Sequence, residues 1–143
     1  MGSNQNIIKL DIKSQQKNLE DISRIDNILE GKHYKRLEKD YIIYKEKDLE
    51  GLEGVVTNLR IESDKVIMKR NGNIRARFEF IEDEETIVKY ICSAGVLIIK
   101  LLTKKLYLKR NAQDNIEKIK IEYFLEFENG EKSFNNIDIN ISY

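Results

Sequence analysis

Alternation constrains this chain more than any other feature. Through most of its length apolar and hydrophilic side chains change places at every residue, and a period of two puts the two sets on opposite faces of a β-strand. Ile8, Leu10 and Ile12 alternate with Lys9, Asp11 and Lys13. Val55, Thr57, Leu59 and Ile61 are set against Val56, Asn58 and Arg60. Ile119, Ile121, Tyr123, Leu125 and Phe127 oppose Lys118, Lys120, Glu122, Phe124, Glu126 and Glu128, and Ile137, Ile139, Ile141 and Tyr143 oppose Asp138, Asn140 and Ser142. Each run predicts an antiparallel strand with one wet face. Turn signals fall between the runs at Glu30-Gly31, Lys39-Asp40, Glu53-Gly54, Ser63-Asp64, Asn71-Gly72, Asp83-Glu84, Ala94-Gly95, Asn111 to Asn115 and Asn129-Gly130. Their spacing of about 8–12 residues suits an all-β meander.

Two segments read differently. Leu19, Ile22, Ile25, Ile28 and Leu29 follow helical spacing, yet their β-branched content predicts a strand that begins near Arg24 and bends at Gly31. Val96 to Leu102 is apolar at nearly every position, which fits either cover on both faces or a contact with another chain.

The stretch VIMKRNGNIRARFEF, Val66 to Phe80, holds the densest basic cluster. A two-residue Asn71-Gly72 loop would mix apolar and charged groups on both faces. A three-residue loop, Arg70-Asn71-Gly72 with Gly72 left-handed, sends Val66, Met68, Ile74, Ala76, Phe78 and Phe80 inward. The outer face then carries Lys65, Lys69, Arg75 and Arg77 with Ile67 and Glu79, and Lys65 faces Arg77. Nine or ten such strands expose a large apolar face unless the sheet closes. The expected fold is therefore all-β: a single antiparallel up-and-down β-barrel of about 8–10 strands, one domain over residues 1–143, with residues 1–5 a disordered tail or cloning remnant.

Bulk properties narrow the function. Twenty-five basic residues cancel 25 acidic ones, so no global field steers polyanions. Cys92 is the sole cysteine and His33 the sole histidine, which excludes an internal disulfide and leaves no thiolate set for structural zinc. No apolar run approaches the roughly 20 residues of a membrane helix, and Met1 to Leu10 lacks a signal-peptide core. A cytoplasmic protein without cofactor, metal or membrane contact is expected.

In order along the chain, Gly31 and Tyr34, YIIYKE at Tyr41 to Glu46, TNLRI at Thr57 to Ile61, KRNG at Lys69 to Gly72, then Phe80, Tyr90, Gly95, Leu97 and the Ile121-Glu122-Tyr123 strand form a pattern. It resembles the YwiB-like family of small bacterial proteins, described as calycin-like, lipocalin-related β-barrels. The resemblance spans nearly the entire chain and implies a calycin/lipocalin-like fold and a cytoplasmic setting. It carries no activity or catalytic residues. The chain departs from the pattern over Leu102 to Asn115, which is more basic.

The main candidate site is the polar set Tyr44, Glu46, Thr57, Arg70, Tyr90 and Thr103. Tyr44 and Glu46 share a strand face, Thr57, Tyr90 and Thr103 fall at inward parity, and Arg70 sits at the rim, where it can pair with Glu46 or grip a ligand anion. The outward set Arg60, Lys65, Lys69, Arg75, Arg77 and Lys89 reads as a solvated face: single-stranded nucleic acid also wants aromatic platforms, and Phe78 and Phe80 are assigned inward. Cys92 reads as a small buried hydrophobe and Glu82 to Glu85 as a solvated acidic turn. The expected function is a non-enzymatic binding module for a small apolar or anionic ligand. The alternatives are a filled barrel that forms a homo-oligomer through Val96 to Leu102 and, behind both, a cofactor-free enzyme at the mouth or a weak nucleic-acid binder.

Overall fold

A computed structural model describes residues 5–47 and 51–143. The expectation of a tail over residues 1–5 falls, apart from Gln5, outside that range. Ten strands follow one another: β1 (Asn6–Lys17), β2 (Ile22–Arg36), β3 (Lys39–Lys45), β4 (Val56–Ile61), β5 (Lys65–Asn71), β6 (Arg75–Ile81), β7 (Glu85–Cys92), β8 (Gly95–Arg110), β9 (Ile116–Glu126) and β10 (Lys132–Ser142). Each pairs antiparallel with the next, and β1 pairs with β10 from Lys9↔Ser142 to Lys17↔Phe134, so the sheet is a closed barrel. An all-antiparallel, ten-stranded up-and-down barrel is the expected architecture.

Parity decides the interior. Ile8 and Leu10 on β1, Ile42 and Tyr44 on β3, Leu59 and Ile61 on β4, Val66 and Met68 on β5 and Phe78 and Phe80 on β6 are all buried. Ile119, Ile121 and Tyr123 on β9 and Ile137, Ile139 and Ile141 on β10 complete the ring. Phe80 meets Tyr123 across the lumen, with ring centroids 4.9 Å apart at 62°. Each fully buried aliphatic or aromatic side chain is worth roughly 1.5–3 kcal/mol, which is what holds so many local hairpins in one shell.

Several local expectations are corrected. β2 begins at Ile22 and runs unbroken through Gly31, so Glu30-Gly31 is not a turn. Gly31 is there because the chain next to it is too close: a Cβ would come within 2.9 Å of both the Ile43 carbonyl and Leu10 Cδ1. The turn read at Lys39-Asp40 lies two residues earlier, where Leu37 and Glu38 both take positive φ between paired Arg36 and Lys39. That is a type I′ hairpin built without glycine.

The basic hairpin keeps its inward set but not its register. Asn71 pairs with Arg75 and Met68 with Phe78, so the loop is Gly72-Asn73-Ile74, and Lys69 rather than Lys65 faces Arg77. Gly72 is not left-handed; it makes room for Val55, whose Cα would lie 3.1 Å from an added Cβ. Ile67, at outward parity, is only 1% exposed.

The Val96 end of β8 is not covered on both faces: Val96 is 50% and Ile98 41% exposed. Further along, register shifts between Thr103 and Lys105 and again between Lys109 and Arg110 mark bulges. The first reverses the parity, so that Thr103 and then Leu106 and Leu108 point inward. One joint is sparse. β6 and β7 pair only at Arg75↔Ile91, and the Glu79 carbonyl accepts from the Thr86 hydroxyl at 2.8 Å.

Gly31→Ala drives a methyl group into a backbone carbonyl and a packed leucine and is expected to cost about 1–3 kcal/mol. Urea denaturation measures it, and an unchanged midpoint would contradict the close approach.

Candidate functional site

The inward faces of β1, β2 and β10 change character along the barrel. Toward the Ile8 end they carry Ile8, Leu10, Leu29, Ile139 and Ile141, and toward the other end Ser14, Ser23, Asn27, Ser133 and Asn135. A polar inward stretch does not close on itself as an apolar one does. A cavity of about 340 Å³ opens at that end. Its walls include Ile12, Ser14, Asn27, Tyr44, Glu46, Met68, Arg70, Tyr123 and Asn135.

Neighbouring strands set the polar core of this site in register: Tyr44 on β3 pairs with Thr57 on β4, and Thr57 with Arg70 on β5. Glu46, just beyond β3, is held because its amide donates to the Val55 carbonyl at 2.8 Å. The Thr57 hydroxyl donates to Glu46 Oε2 at 2.5 Å, and Arg70 Nε lies 3.6 Å from the same oxygen. Arg70 Nε is buried without a hydrogen-bond acceptor, and the guanidinium carbon sits 5.9 Å from the Phe78 ring centroid. Burial, then the Glu46 charge, push the Tyr44 phenol well above its ordinary range, with Arg70 and Thr57 opposing. Burial likewise raises Tyr123 to about 12. Both phenols therefore stay protonated at neutral pH and are available as neutral hydrogen-bond donors.

Of the expected residues, Tyr44, Glu46, Thr57 and Arg70 come together. Tyr90 and Thr103 do not join them. Tyr90, on β7, packs against the core beside Leu97. Thr103, in the middle of β8 opposite Tyr123, is not on the cavity wall: its carbonyl accepts from the Asp83 amide at 2.8 Å and its hydroxyl is buried without a partner. Cys92 is only partly buried. Sequence reasoning did not assign Tyr123, Asn135, Ser14 or Asn27 to the site. Parity alone puts each of them inward, but polar residues at inward positions read as strand ends.

The opposite end holds a second cluster that the sequence did not announce. His33 Nε2 and Asp40 Oδ2 are 2.7 Å apart and both side chains are buried. Asp40 Oδ1 accepts from Arg110 at 2.7 Å, and the Ile116 amide donates to Oδ2 at 3.4 Å. The Tyr143 hydroxyl donates to the Ile116 carbonyl at 2.5 Å, with its ring edge-on to His33. Burial alone would raise the Asp40 pKa, but the hydrogen bonds from His33 and Arg110 and the Arg110 charge outweigh it and hold the carboxyl below its usual range. The arrangement closes this end with a carboxylate whose two oxygens are both engaged, while His33 Nδ1 is buried without a partner. Among the described residues, no group of three or more His, Cys, Asp or Glu is placed to hold a metal ion.

Because folding lowers the Asp40 pKa, its stabilisation is full above the unfolded carboxylate value of about 3.9 and drains away as pH falls through the folded value. Asp40→Asn leaves Arg110 and His33 without their carboxylate, and a loss of roughly 3–5 kcal/mol at pH 7 is expected. The loss should shrink below pH ~4. Thermal melts of both proteins across that range measure it, and a pH-independent difference would refute the assignment.

In comparisons with known proteins, no curated protein matches the chain. The crystal structure of the ywiB protein from Bacillus subtilis is similar, with a TM-score of 0.76 and 24% sequence identity, covering 96% of this chain and 94% of that one. At that identity the likeness shows a shared fold. Residues 10–139 match the domain of unknown function DUF1934, and the chain belongs to that family.

Proposed function

We propose that this protein is a non-enzymatic binding module of calycin type that takes a small amphiphilic anion into the open end of its barrel. The observation that carries this reading is Arg70: its Nε is buried on a cavity wall without a hydrogen-bond acceptor, and the Glu46 oxygen 3.6 Å away that balances its charge is already engaged by Thr57. An acidic head group would satisfy the guanidinium through its remaining donors, and the protonated Tyr44 and Tyr123 phenols would add neutral donors. Ile12, Met68 and Ile137 offer an apolar wall for a short tail. The volume of about 340 Å³ lies at the small end of the range of ligand sites.

Native mass spectrometry of protein purified from its own host should show a co-purified small molecule. With the fluorescent anion 1-anilinonaphthalene-8-sulfonate as probe, Arg70→Ala is expected to weaken binding at least about tenfold, with the melting temperature nearly unchanged and partial recovery in Arg70→Lys. Undiminished binding by the alanine variant would end this reading.

A second reading, self-association through the β7–β8 hairpin, is favoured by one observation. Ile87, Ile91, Val96 and Ile98 share its outer face, and Ile87, Val96 and Ile98 are 59%, 50% and 41% exposed. A two-fold contact uses the same patch on both copies. If so, light scattering reports a dimer for the wild type and a monomer for Ile98→Lys; a monomeric wild type rules it out.

A further inference from the structure

The outer surface of β2 to β7 carries a second constellation that faces away from the cavity. Tyr34 and Tyr41 pair across β2 and β3, and their rings stack with centroids 4.8 Å apart at 4°. Continuing around the barrel, Tyr41 pairs with Arg60 and Arg60 with Ile67. With Asn58 and Lys69 these side chains wall a slot of about 190 Å³. Ile67, 1% exposed despite its outward parity, lies at the base of the slot, so the accessible walls are the tyrosines, Asn58, Arg60 and Lys69. An aromatic wall and a carboxamide suit a planar heteroaromatic ring, which gains stacking from the tyrosines and edge hydrogen bonds from Asn58.

Lys69 also borders a groove of about 260 Å³ lined by Arg75, Arg77, Lys89 and Ile91. Lys69 and Arg77 sit directly opposite one another, an arrangement that destabilises a sheet unless an anion lies near. Glu79, 3.5 Å from Arg77, answers only that one charge. Lys69, Arg75 and Lys89 form no ion pair among the described residues, whereas Arg60 and Arg70 each have a carboxylate partner. A row of unneutralised cations that begins where the slot ends matches a ring joined to successive phosphates.

We propose that a single-stranded nucleic acid lies along this strip, one base in the Tyr41–Ile67–Asn58 slot and its adjoining phosphates over Lys69, Arg77, Arg75 and Lys89. The sequence-based argument against nucleic acid was the lack of stacking platforms, since Phe78 and Phe80 point inward. They do, and Tyr34 and Tyr41 are the outward aromatics instead. A single strand is favoured over a duplex because only unpaired bases can leave their stack to enter a slot. Inorganic polyphosphate would use the groove and leave the slot empty.

Fluorescence anisotropy with labelled RNA and DNA single strands of about 12 nucleotides tests the assignment. Both should bind, with affinity falling as salt rises. Tyr41→Ala is expected to weaken binding about tenfold with its salt slope unaltered. Lys69→Ala, at an exposed position, should reduce the slope of log affinity against log salt by about 0.7. Lys118→Ala, an outward lysine across the barrel on β9, should change neither. Absence of binding at low salt, equal retention of duplex, equal losses from Lys118→Ala and Lys69→Ala, an unaffected Tyr41→Ala, or binding of ATP without the oligonucleotides would each overturn it.

Discussion

Closure of the sheet through the first and last strands is the constraint from which the rest follows. The β1–β10 ladder runs from Lys9↔Ser142 to Lys17↔Phe134, and without it both strands would present unpaired backbone along their whole length. Closure also converts alternation into an inside and an outside. The inward residues of ten hairpin-linked strands become one core because the ring leaves them nowhere else to point. The intervening contacts are local, between strands adjacent in sequence, so the β1–β10 ladder is the one pairing that spans the chain.

The two ends of this ring solve different problems. At the His33 end a buried carboxylate is surrounded by an imidazole, a guanidinium and a backbone amide, and the structure gains a polar plug. At the Arg70 end the polar groups outnumber their mutual bonds. Thr57 and Glu46 satisfy each other, while Arg70 Nε has no acceptor and Tyr44 and Tyr123 keep their protons. Buried polar groups are commonly satisfied, and each end keeps an exception: Arg70 Nε at this one and His33 Nδ1 at the other. The asymmetry originates in sequence: β1 and β10 spend their inward positions on Ile and Leu at one end and on Ser and Asn at the other.

Much of this architecture was legible because parity survives errors of register. The Val66 to Phe80 hairpin shows it: its loop was misplaced, and the partner of every cation with it, yet all six residues assigned inward are buried. Register depends on turn conformation, and Gly72 gave a misleading signal because it makes room for Val55 instead of taking positive φ. Half of the cavity's polar core was legible for the same reason. Tyr44, Thr57 and Arg70 lie on three consecutive strands and Glu46 just beyond the first of them, so local pairing assembles the four. Tyr90 and Thr103 share the inward parity but lie on β7 and β8, outside the three strands whose pairing assembles the site, and parity does not encode which inward residues meet. The Asp40 cluster was hidden for a different reason. Arg110 reaches Asp40 from β8 only after a bulge has reversed the alternation, and a shift of one residue is invisible in a run as mixed as Thr103 to Arg110.

The sparse joint between β6 and β7 bears on how the barrel moves. A ring held by continuous ladders on either side, Lys65↔Ile81 to Asn71↔Arg75 and Glu85↔Leu102 to Cys92↔Gly95, yields where a lone bridge stands between them. Sub-global opening is expected to start along the Arg77–Ile81 edge, where backbone pairing is thinnest. When it does, water reaches Phe78 and Phe80 sideways through the wall, ahead of any core residue guarded by complete pairing.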